Sequence, residues 1–369
     1  MNCTFDTRTS PPHTNSKKIS IYIEVLRIVA CFFVIFNHTN ERGFYLFIAD
    51  IDNTAVNLFH YMSDFAFSTI VKTAVPIFFM ISGSLLLNKE ENISATLKRI
   101  KKIAVGIALF VPLYTFVDAM QRDLAFNFSV MIKAIFCDGY WHLWFLYAYI
   151  SFILSLPFLR KFVISLTPSS SVYFLITIGG CIFLNSIFSQ LLGIQINYNL
   201  KMSWFWEWAF LYPIVGYIID HKLIHNDLLT CRSIVFCWSL AIAGTTLGAF
   251  FEYIFLKSST DKFNETFLVY LCLLNSITVY ITIKWFCQKF PKSVKMQNFV
   301  LSISKCTYGI YLIHIFILWK ISFIVNAMQQ IEFYLGQRIG ILFTCAFTMA
   351  ICFILTWSLR KLKIGKYIL

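Results

Sequence analysis

This sequence of 369 residues has few charged residues. Asp, Glu, Lys and Arg make up 13% of it, about half of the share that is usual in soluble domains. Hydrophobic residues make up 58%, and the mean hydropathy is +0.70. A globule of this size still exposes much of its surface to water, so the composition excludes a soluble enzyme, a disordered chain and a nucleic-acid-binding protein. The solvent for most of the chain is therefore expected to be a lipid bilayer.

The sequence also lacks a metal-ligand or disulfide pattern. Its 11 cysteines are scattered, and no Cys-x-x-Cys pair occurs. Most of them stand inside apolar runs, where free cysteine behaves as a small hydrophobic residue. We therefore expect no metal site and no tightly bound cofactor.

Long apolar runs account for most of what is present. A helix that crosses the hydrocarbon core needs about 20 mostly apolar residues. Windows of that length predict an all-α integral membrane protein, a bundle of about ten transmembrane helices. The predicted spans are 19–38, 65–87, 103–121, 141–159, 172–190, 204–220, 233–256, 266–288, 301–324 and 339–359.

Lys and Arg are distributed unevenly between the two sides of the predicted bundle. The two tails and every second loop, beginning with residues 88–102, carry 19 of them, and the other five loops carry seven. Because cytoplasmic loops are enriched in Lys and Arg, this split predicts that both termini are cytoplasmic. The domain organisation that follows is a cytoplasmic tail at 1–18, one membrane domain at 19–360 and a second cytoplasmic tail at 361–369.

The first predicted span contains three ionisable residues, Glu24, Arg27 and His38. Ionisable groups inside a span are costly, so each indicates either function or a paired structural role. Arg27 and His38 are 11 residues apart, which puts them within about 20° of each other on one helix face and about 16 Å apart along the axis. Two alternatives stay open: Glu24 and Arg27 as a purely structural pair, and His38 as an interfacial residue that reaches water.

Further polar residues are predicted at the same level as His38. Some are ordinary interface residues, but together they could form the wall of an outward-facing cavity for a polar acceptor. They are Asp118, Asp138, His142, Glu207, Glu252 and Lys320.

The loop after the second span is strongly basic. Residues 97–102 contain four positive charges, and Arg99 and Lys102 would share one helical face. Lys98, Arg99 and Lys102 therefore make a candidate site for a phosphate-bearing ligand. The alternative is a topology signal that contacts lipid phosphates.

The order of several short motifs resembles acyltransferase family 3, whose members are membrane-bound. These motifs are Arg27 and His38 with ten residues between them, Val-Pro-Ile-Phe-Phe-Met-Ile-Ser-Gly at 75–83, His-Leu-Trp-Phe-Leu-Tyr at 142–147 and Tyr-Gly-Ile-Tyr-Leu-Ile-His at 308–314. The resemblance runs from about Ile19 to Arg360. It implies that His38 is the catalytic histidine and that Arg27 is its companion. Arg99 matches the first basic residue of the family's Arg-x-x-Arg pattern, whereas Lys102 departs from the second.

The resemblance also implies an activity. Members of that family move an acyl group, usually acetyl, from cytoplasmic acyl-CoA to a carbohydrate at or beyond the membrane. Acetyl-CoA would then be the donor substrate, a cell-surface or envelope carbohydrate or glycolipid the acceptor, and a bacterial cytoplasmic membrane the location. Residues expected to form or support the acceptor site are Glu24, Ser82, His142, Trp144, Tyr147, Tyr308 and His314.

A different class of function is compatible with the same helices and buried charges. A polytopic transporter or flippase for a glycolipid, with His38 in a proton relay, would also bury charges among ten helices. Dependence on acyl-CoA distinguishes the two hypotheses. The sequence predicts no oligomeric state.

Overall fold

The computed structural model describes residues 20–39, 58–191, 208–224, 229–258, 266–290, 293–362 and 365. The described residues form helices and connecting turns and contain no β-strand, which confirms the all-α class. The predicted tail at 1–18 lies outside the described residues, as does most of the predicted tail at 361–369.

Residues 20–39 and 58–191, the described part of the first half, form seven α-helices. The second predicted span is divided into α2 and α3, and Pro76 stands in the first turn of α3, where a proline is tolerated because early N–H groups lack a helical partner. A π-helical turn at Ala134–Asp138 follows α5, and a 3₁₀ turn at Trp141–Leu143 precedes α6. The helices are α1 (Ile21–Asn37), α2 (Leu58–Val71), α3 (Ala74–Leu86), α4 (Ile93–Gln121), α5 (Phe128–Lys133), α6 (Trp144–Ser165) and α7 (Pro168–Leu191).

The described residues from Trp208 onwards also form seven α-helices. The predicted span 301–324 covers parts of three of them, because the chain breaks after Ser304 and again near Lys320. π-helical turns end α8, at Ile219–Leu223, and α12, at Phe316–Lys320. The helices are α8 (Trp208–Ile218), α9 (Cys231–Ser258), α10 (Thr266–Lys289), α11 (Val294–Ser304), α12 (Thr307–Ile315), α13 (Ser322–Leu335) and α14 (Gln337–Lys361).

Six helices among the described residues are long and apolar enough to cross a membrane. The number is seven if α11 and α12, which meet at a bend of 45°, form one span. Large apolar side chains such as Phe158, Ile176 and Phe236 are more than half exposed, as expected for surfaces that contact lipid. The protein is thus a multi-pass membrane protein, while ten spans and cytoplasmic termini stay predictions.

Helix α1 lies in the centre of the bundle. It packs against α3, α10, α11, α12 and α14. Ile23, Leu26, Ala30 and Val34 follow one another at helical spacing, and all four are buried. The helix therefore carries its polar residues into the interior of the protein rather than towards lipid.

The closest helix contact joins α3 and α8. A Cβ atom added to Gly83 would overlap the carbonyl of Pro213, and one added to Gly216 would overlap the carbonyl of Met80. The two backbones therefore touch directly, as small residues allow between membrane helices.

A buried ion pair joins four segments near one end of the bundle. Lys284 Nζ lies 2.7 Å from Asp220 Oδ1, and each side chain is only 4% exposed. Tyr22 and Tyr280 donate hydrogen bonds of 2.8 and 2.7 Å to Asp220, and Ser84 donates a third. These bonds satisfy a carboxylate that would otherwise be very costly to bury, and they tie α1, α3 and α10 to the end of α8.

Candidate functional site

His38 lies at the C-terminal end of α1 in a cluster of rings. Its imidazole stacks on that of His314, with ring centroids 5.3 Å apart, and lies 6.4 Å from that of His142. The Trp141 ring meets it edge to face at 5.0 Å. Trp319 Nε1 donates a 2.7 Å hydrogen bond to the His38 carbonyl, which fixes the end of the helix. Three imidazoles that stand far apart in the sequence thus meet at one point.

Two of these imidazoles carry buried nitrogens that have no hydrogen-bond partner among the described residues. His314 Nδ1 donates to the Tyr311 carbonyl at 2.7 Å, because a carbonyl can only accept, so Nε2 is left as an acceptor without a partner. Both ring nitrogens of His142 are also unpaired. The two side chains are 0% and 1% exposed. Since most buried polar atoms in proteins are hydrogen-bonded, such a group of exceptions is typical of a functional site.

A cavity of about 260 Å³ borders this cluster, and we call it the histidine cavity. Its walls are largely aromatic, with Trp144 and Trp208 edge to face at 5.9 Å. The lining residues are Val34, Asn37, His38, Lys72, Ala74, Val75, His142, Trp144, Phe145, Trp208 and Tyr311.

A second cavity, of about 420 Å³, lies nearer to the N-terminal end of α1, and we call it the basic cavity. Five of its lining residues are cationic, and no carboxylate among the described residues lines it. The cations are Arg27, Arg99, Lys102, Lys305 and Arg360. The wall also contains Ser82, Phe145, Tyr149, Tyr308 and Tyr311.

Arg27 forms the predicted pair with Glu24. Its Nη1 lies 3.0 and 2.9 Å from the two oxygens of the Glu24 carboxylate, which also accepts a hydrogen bond from Ser304. Arg27 remains one-third exposed in the cavity wall. The guanidinium is thus anchored on one side and available on the other, so both interpretations of the pair stay open.

Only two described residues, Phe145 and Tyr311, line both cavities. Their ring centroids are 5.8 Å apart with an interplanar angle of 74°. Tyr311 is held in place because its hydroxyl donates a 2.6 Å hydrogen bond to the His142 carbonyl. A pair of aromatic side chains therefore borders both the cationic cavity and the one that contains His38.

Arg99 and Lys102 both reach the basic cavity, as the predicted helical spacing requires. Both terminal nitrogens of Arg99 contact the Glu91 carboxylate, and this pairing lowers the pKa of Glu91. Lys102 Nζ lies 5.2 Å from the ring centroid of Tyr308, whose buried hydroxyl has no partner in the described part of the chain. Ser82 donates to the Tyr149 hydroxyl at 3.2 Å in the same wall.

Some residues that the sequence singled out lie elsewhere. Lys98 is exposed and does not line the basic cavity. Tyr147 lines neither cavity, and its hydroxyl donates to the Ile135 carbonyl at 2.7 Å. Asp118 pairs with Lys320 and accepts from Tyr140, near the histidine cluster. The side chains of Asp138, Glu207 and Glu252 lie outside the described residues.

Sequence reasoning missed several residues of the site. Arg360 was counted only for topology and Lys305 only as an in-span residue, although the end of α14 and the break between α11 and α12 bring them to the basic cavity. Phe145 and Tyr311 stand inside two of the quoted motifs, where nothing marked them as residues that border both cavities. An in-span lysine at a predicted helix end was the one signal that could have indicated Lys305.

The fold and the cavities define a multi-pass helical membrane protein with two neighbouring polar cavities that share the aromatic lining residues Phe145 and Tyr311. No group of three or more His, Cys, Asp or Glu side chains in the described part could hold a metal ion. A family model described as an acyltransferase domain matches residues 20–357. The chain therefore belongs to acyltransferase family 3 and is a membrane protein that transfers acyl groups. No curated protein and no solved structure matches it.

Proposed function

We propose that the protein transfers an acetyl group from cytoplasmic acetyl-CoA to a hydroxyl group of a cell-surface or envelope carbohydrate, in a bacterial cytoplasmic membrane. One observation carries the proposal: the cationic cavity and the cavity with His38 share two lining residues, Phe145 and Tyr311, and therefore lie next to each other. A donor held by its phosphates in the first cavity would then have its thioester close to the second.

The basic cavity suits the donor. Arg99 and Arg360 offer planar forks for phosphate oxygens, and Lys102 and Lys305 add point charges. Its volume of about 420 Å³ falls within the range that is usual for small-molecule sites. Arg27 lines the same cavity, where it could stabilise negative charge that develops on the thioester oxygen.

The chemistry would take place at His38. As a general base, its imidazole would accept the proton of the acceptor hydroxyl while the hydroxyl oxygen attacks the thioester carbon. The carbon–sulfur bond would break, and the thiolate of CoA would take the proton back from the imidazole. As a nucleophile, His38 would first carry the acetyl group itself. A stable acetyl adduct on mixing the protein with donor alone would select the second route.

The histidine cavity suits a carbohydrate acceptor. Trp144, Trp208 and Phe145 supply apolar walls, and the two tryptophans also carry an indole N–H group. Aromatic surfaces of this kind are common in ligand sites. The unpaired nitrogens of His142 provide one donor and one acceptor in the neutral ring, which match the hydrogen-bonding capacity of a hydroxyl group.

Two measurements test the proposed function. Purified protein in lipid vesicles should release free thiol from acetyl-CoA in the presence of envelope carbohydrate. Mass spectrometry of envelope glycans should show acetyl esters in cells with the protein and lose them in cells without it. Movement of a glycolipid across the vesicle membrane with no thiol release would contradict the proposal and support the transporter alternative.

A matched pair of charge reversals tests the donor site. Lys102→Glu places a carboxylate in the basic cavity and should weaken acetyl-CoA binding at least severalfold, because like charges repel. Lys101→Glu makes the same change one residue earlier, at an exposed position that does not line the cavity, and should leave binding unchanged. Equal effects of the two variants would indicate that the cluster acts only through its overall charge.

A further inference from the structure

The contact between Glu91 and Arg99 occupies a guanidinium that the donor would need. Glu91 lies in the non-helical segment between α3 and α4. One of its oxygens accepts a 2.7 Å hydrogen bond from Arg99 Nη2, and the other accepts from Nη1. The pKa of Glu91 is lowered, chiefly by the hydrogen bond from Arg99, so its carboxylate is ionised at neutral pH.

Carboxylates and phosphates use the same two-pronged contact with arginine. A phosphate that binds the terminal nitrogens of Arg99 must therefore meet the Glu91 carboxylate at the same place. Two anions cannot share that fork closely, because their repulsion opposes the attraction that each has for the guanidinium. Arg99 lines the basic cavity, so this competition would take place in the cavity wall.

Arg160, on α6, offers Glu91 a second partner. Its Nη2 lies 3.3 Å from Glu91 Oε2, and its Nε donates a 3.0 Å hydrogen bond to the Leu86 carbonyl. Arg160 is thus fixed to the end of α3 independently of Glu91. A carboxylate that leaves Arg99 can keep this second ion pair, which lowers the cost of the exchange.

We infer that Glu91 is a built-in competitor of the anionic donor for Arg99, and that donor binding moves the Glu91 carboxylate from Arg99 to Arg160. The inference rests on the proposed function for the identity of the donor. It makes Glu91 and Arg160 determinants of donor affinity, although neither lines the basic cavity.

Binding measurements on the purified full-length protein test the inference with two probes, acetyl-CoA and inorganic pyrophosphate. Glu91→Gln keeps the size of the side chain and removes its charge, so both probes should bind about two- to fivefold more tightly, the range expected for loss of one partly exposed ion pair. Glu90→Gln makes the same charge change at the neighbouring exposed position and should have little effect. Glu91→Asp, which shortens the side chain by one methylene, should give a smaller increase in affinity. It replaces the glutamine variant in the test if that variant does not fold.

Arg160→Gln provides the decisive comparison. Without Arg160, Glu91 should hold Arg99 more firmly, so probe binding should weaken in the wild-type background. The same change should have no effect in the Glu91→Gln background, where the competing charge is gone. Equal weakening in both backgrounds would show that Arg160 contacts the ligand itself and would overturn the inference.

The remaining outcomes separate the inference from the proposed function. If Glu91→Gln binds either probe less tightly than wild type, Glu91 positions Arg99 for the ligand, and if it binds with equal affinity, Glu91 has no effect on binding. Either result would show that the inference is wrong, while acetyl-CoA would remain the proposed donor. If no variant binds acetyl-CoA but pyrophosphate follows the expected pattern, the donor assignment is wrong and the competition at Arg99 stands. If neither probe binds any variant, both are wrong.

Discussion

The imidazoles of His38, His142 and His314 have no carboxylate in hydrogen-bond contact among the described residues. His314 instead bonds the Tyr311 carbonyl, and His142 has no partner in that part of the chain. A cluster of this kind does not resemble a catalytic triad, in which an acidic group orients the base. It depends instead on stacking and on backbone carbonyls to hold the rings.

Replacement of His38 by alanine should nearly abolish acyl transfer. Loss of a positioned proton-transfer group typically costs about 10²–10⁴-fold in rate, and loss of a covalent carrier would leave no reaction by that route. Thiol release from acetyl-CoA at matched protein abundance measures the effect, with His13→Ala, a histidine ahead of the first helix, as control. Activity close to wild type in His38→Ala would contradict the assigned role.

Replacement of His314 by leucine should separate stability from activity. Leucine fills a similar volume and removes two nitrogens: Nδ1, whose hydrogen bond to the Tyr311 carbonyl is lost, and Nε2, which has no partner in the described part of the chain. Loss of one hydrogen bond costs about 0.5–1.5 kcal/mol and removal of the unpaired nitrogen offsets part of it, so the melting temperature in detergent should change little. Acyl transfer should nevertheless fall, because the ring that stacks on His38 is lost. A variant that keeps full activity would show that His314 only fills space.

The sequence predicted some of this site and missed the rest for a physical reason. Arg27 and His38 were placed on one face by helix periodicity, a local property, and Arg27 duly pairs with Glu24 one turn away. The contacts of His38 with His142 and His314 depend on how α1, α6 and α12 pack against one another. The spacing of residues within a single helix carries no information about that packing. Their roles in catalysis stay predictions until the variants are measured.

The contact between α3 and α8 shows how strongly one pair of helices depends on glycine. Gly216→Ala would push a methyl group into the Met80 carbonyl, and the helices would have to separate. We expect a loss of about 1–3 kcal/mol in the free energy of unfolding, as for overpacked cores, seen as a lower melting temperature in detergent.

Gly180→Ala is the matched control for that change. It lies within α7, and a Cβ atom there would meet nothing within 4 Å among the described residues. The substitution should leave the melting temperature unchanged or slightly higher, because alanine favours helices. Equal destabilisation by both variants would mean that the α3–α8 contact is looser than described.

Helices were easier to predict than their interruptions. Apolar runs located the six helices that are long and apolar enough to cross a membrane and the bent pair α11 and α12, because each helix must satisfy its own backbone in lipid. The 45° bend between α11 and α12 and the π-helical turn at Phe316–Lys320 were not predicted. Each depends on contacts with neighbouring helices, and the bend is what carries Lys305 to the basic cavity.

The orientation of the whole molecule is open to a direct test. The distribution of 19 and seven basic residues predicts that reporter fusions after Asn88 and after Leu369 read as cytoplasmic and that a fusion near Asp52 reads as extracytoplasmic. Reporter pairs that are active only on one side of the membrane make the measurement. A cytoplasmic signal at Asp52 would reverse the orientation and place His38 towards the cytoplasm.

The aromatic pair that borders both cavities has a consequence for the electrical properties of the membrane. If water enters the two cavities from opposite sides of the membrane, a large part of the membrane voltage falls across the wall that contains Phe145 and Tyr311 rather than across the full bilayer. That voltage is worth about 2.3 kcal/mol per elementary charge for each 100 mV, so a proton or ion at the rings would experience a steep field. If acyl transfer takes place there as proposed, Phe145 and Tyr311 must also block the passage of ions, so selection on them would act on the energy supply of the cell as well as on the reaction.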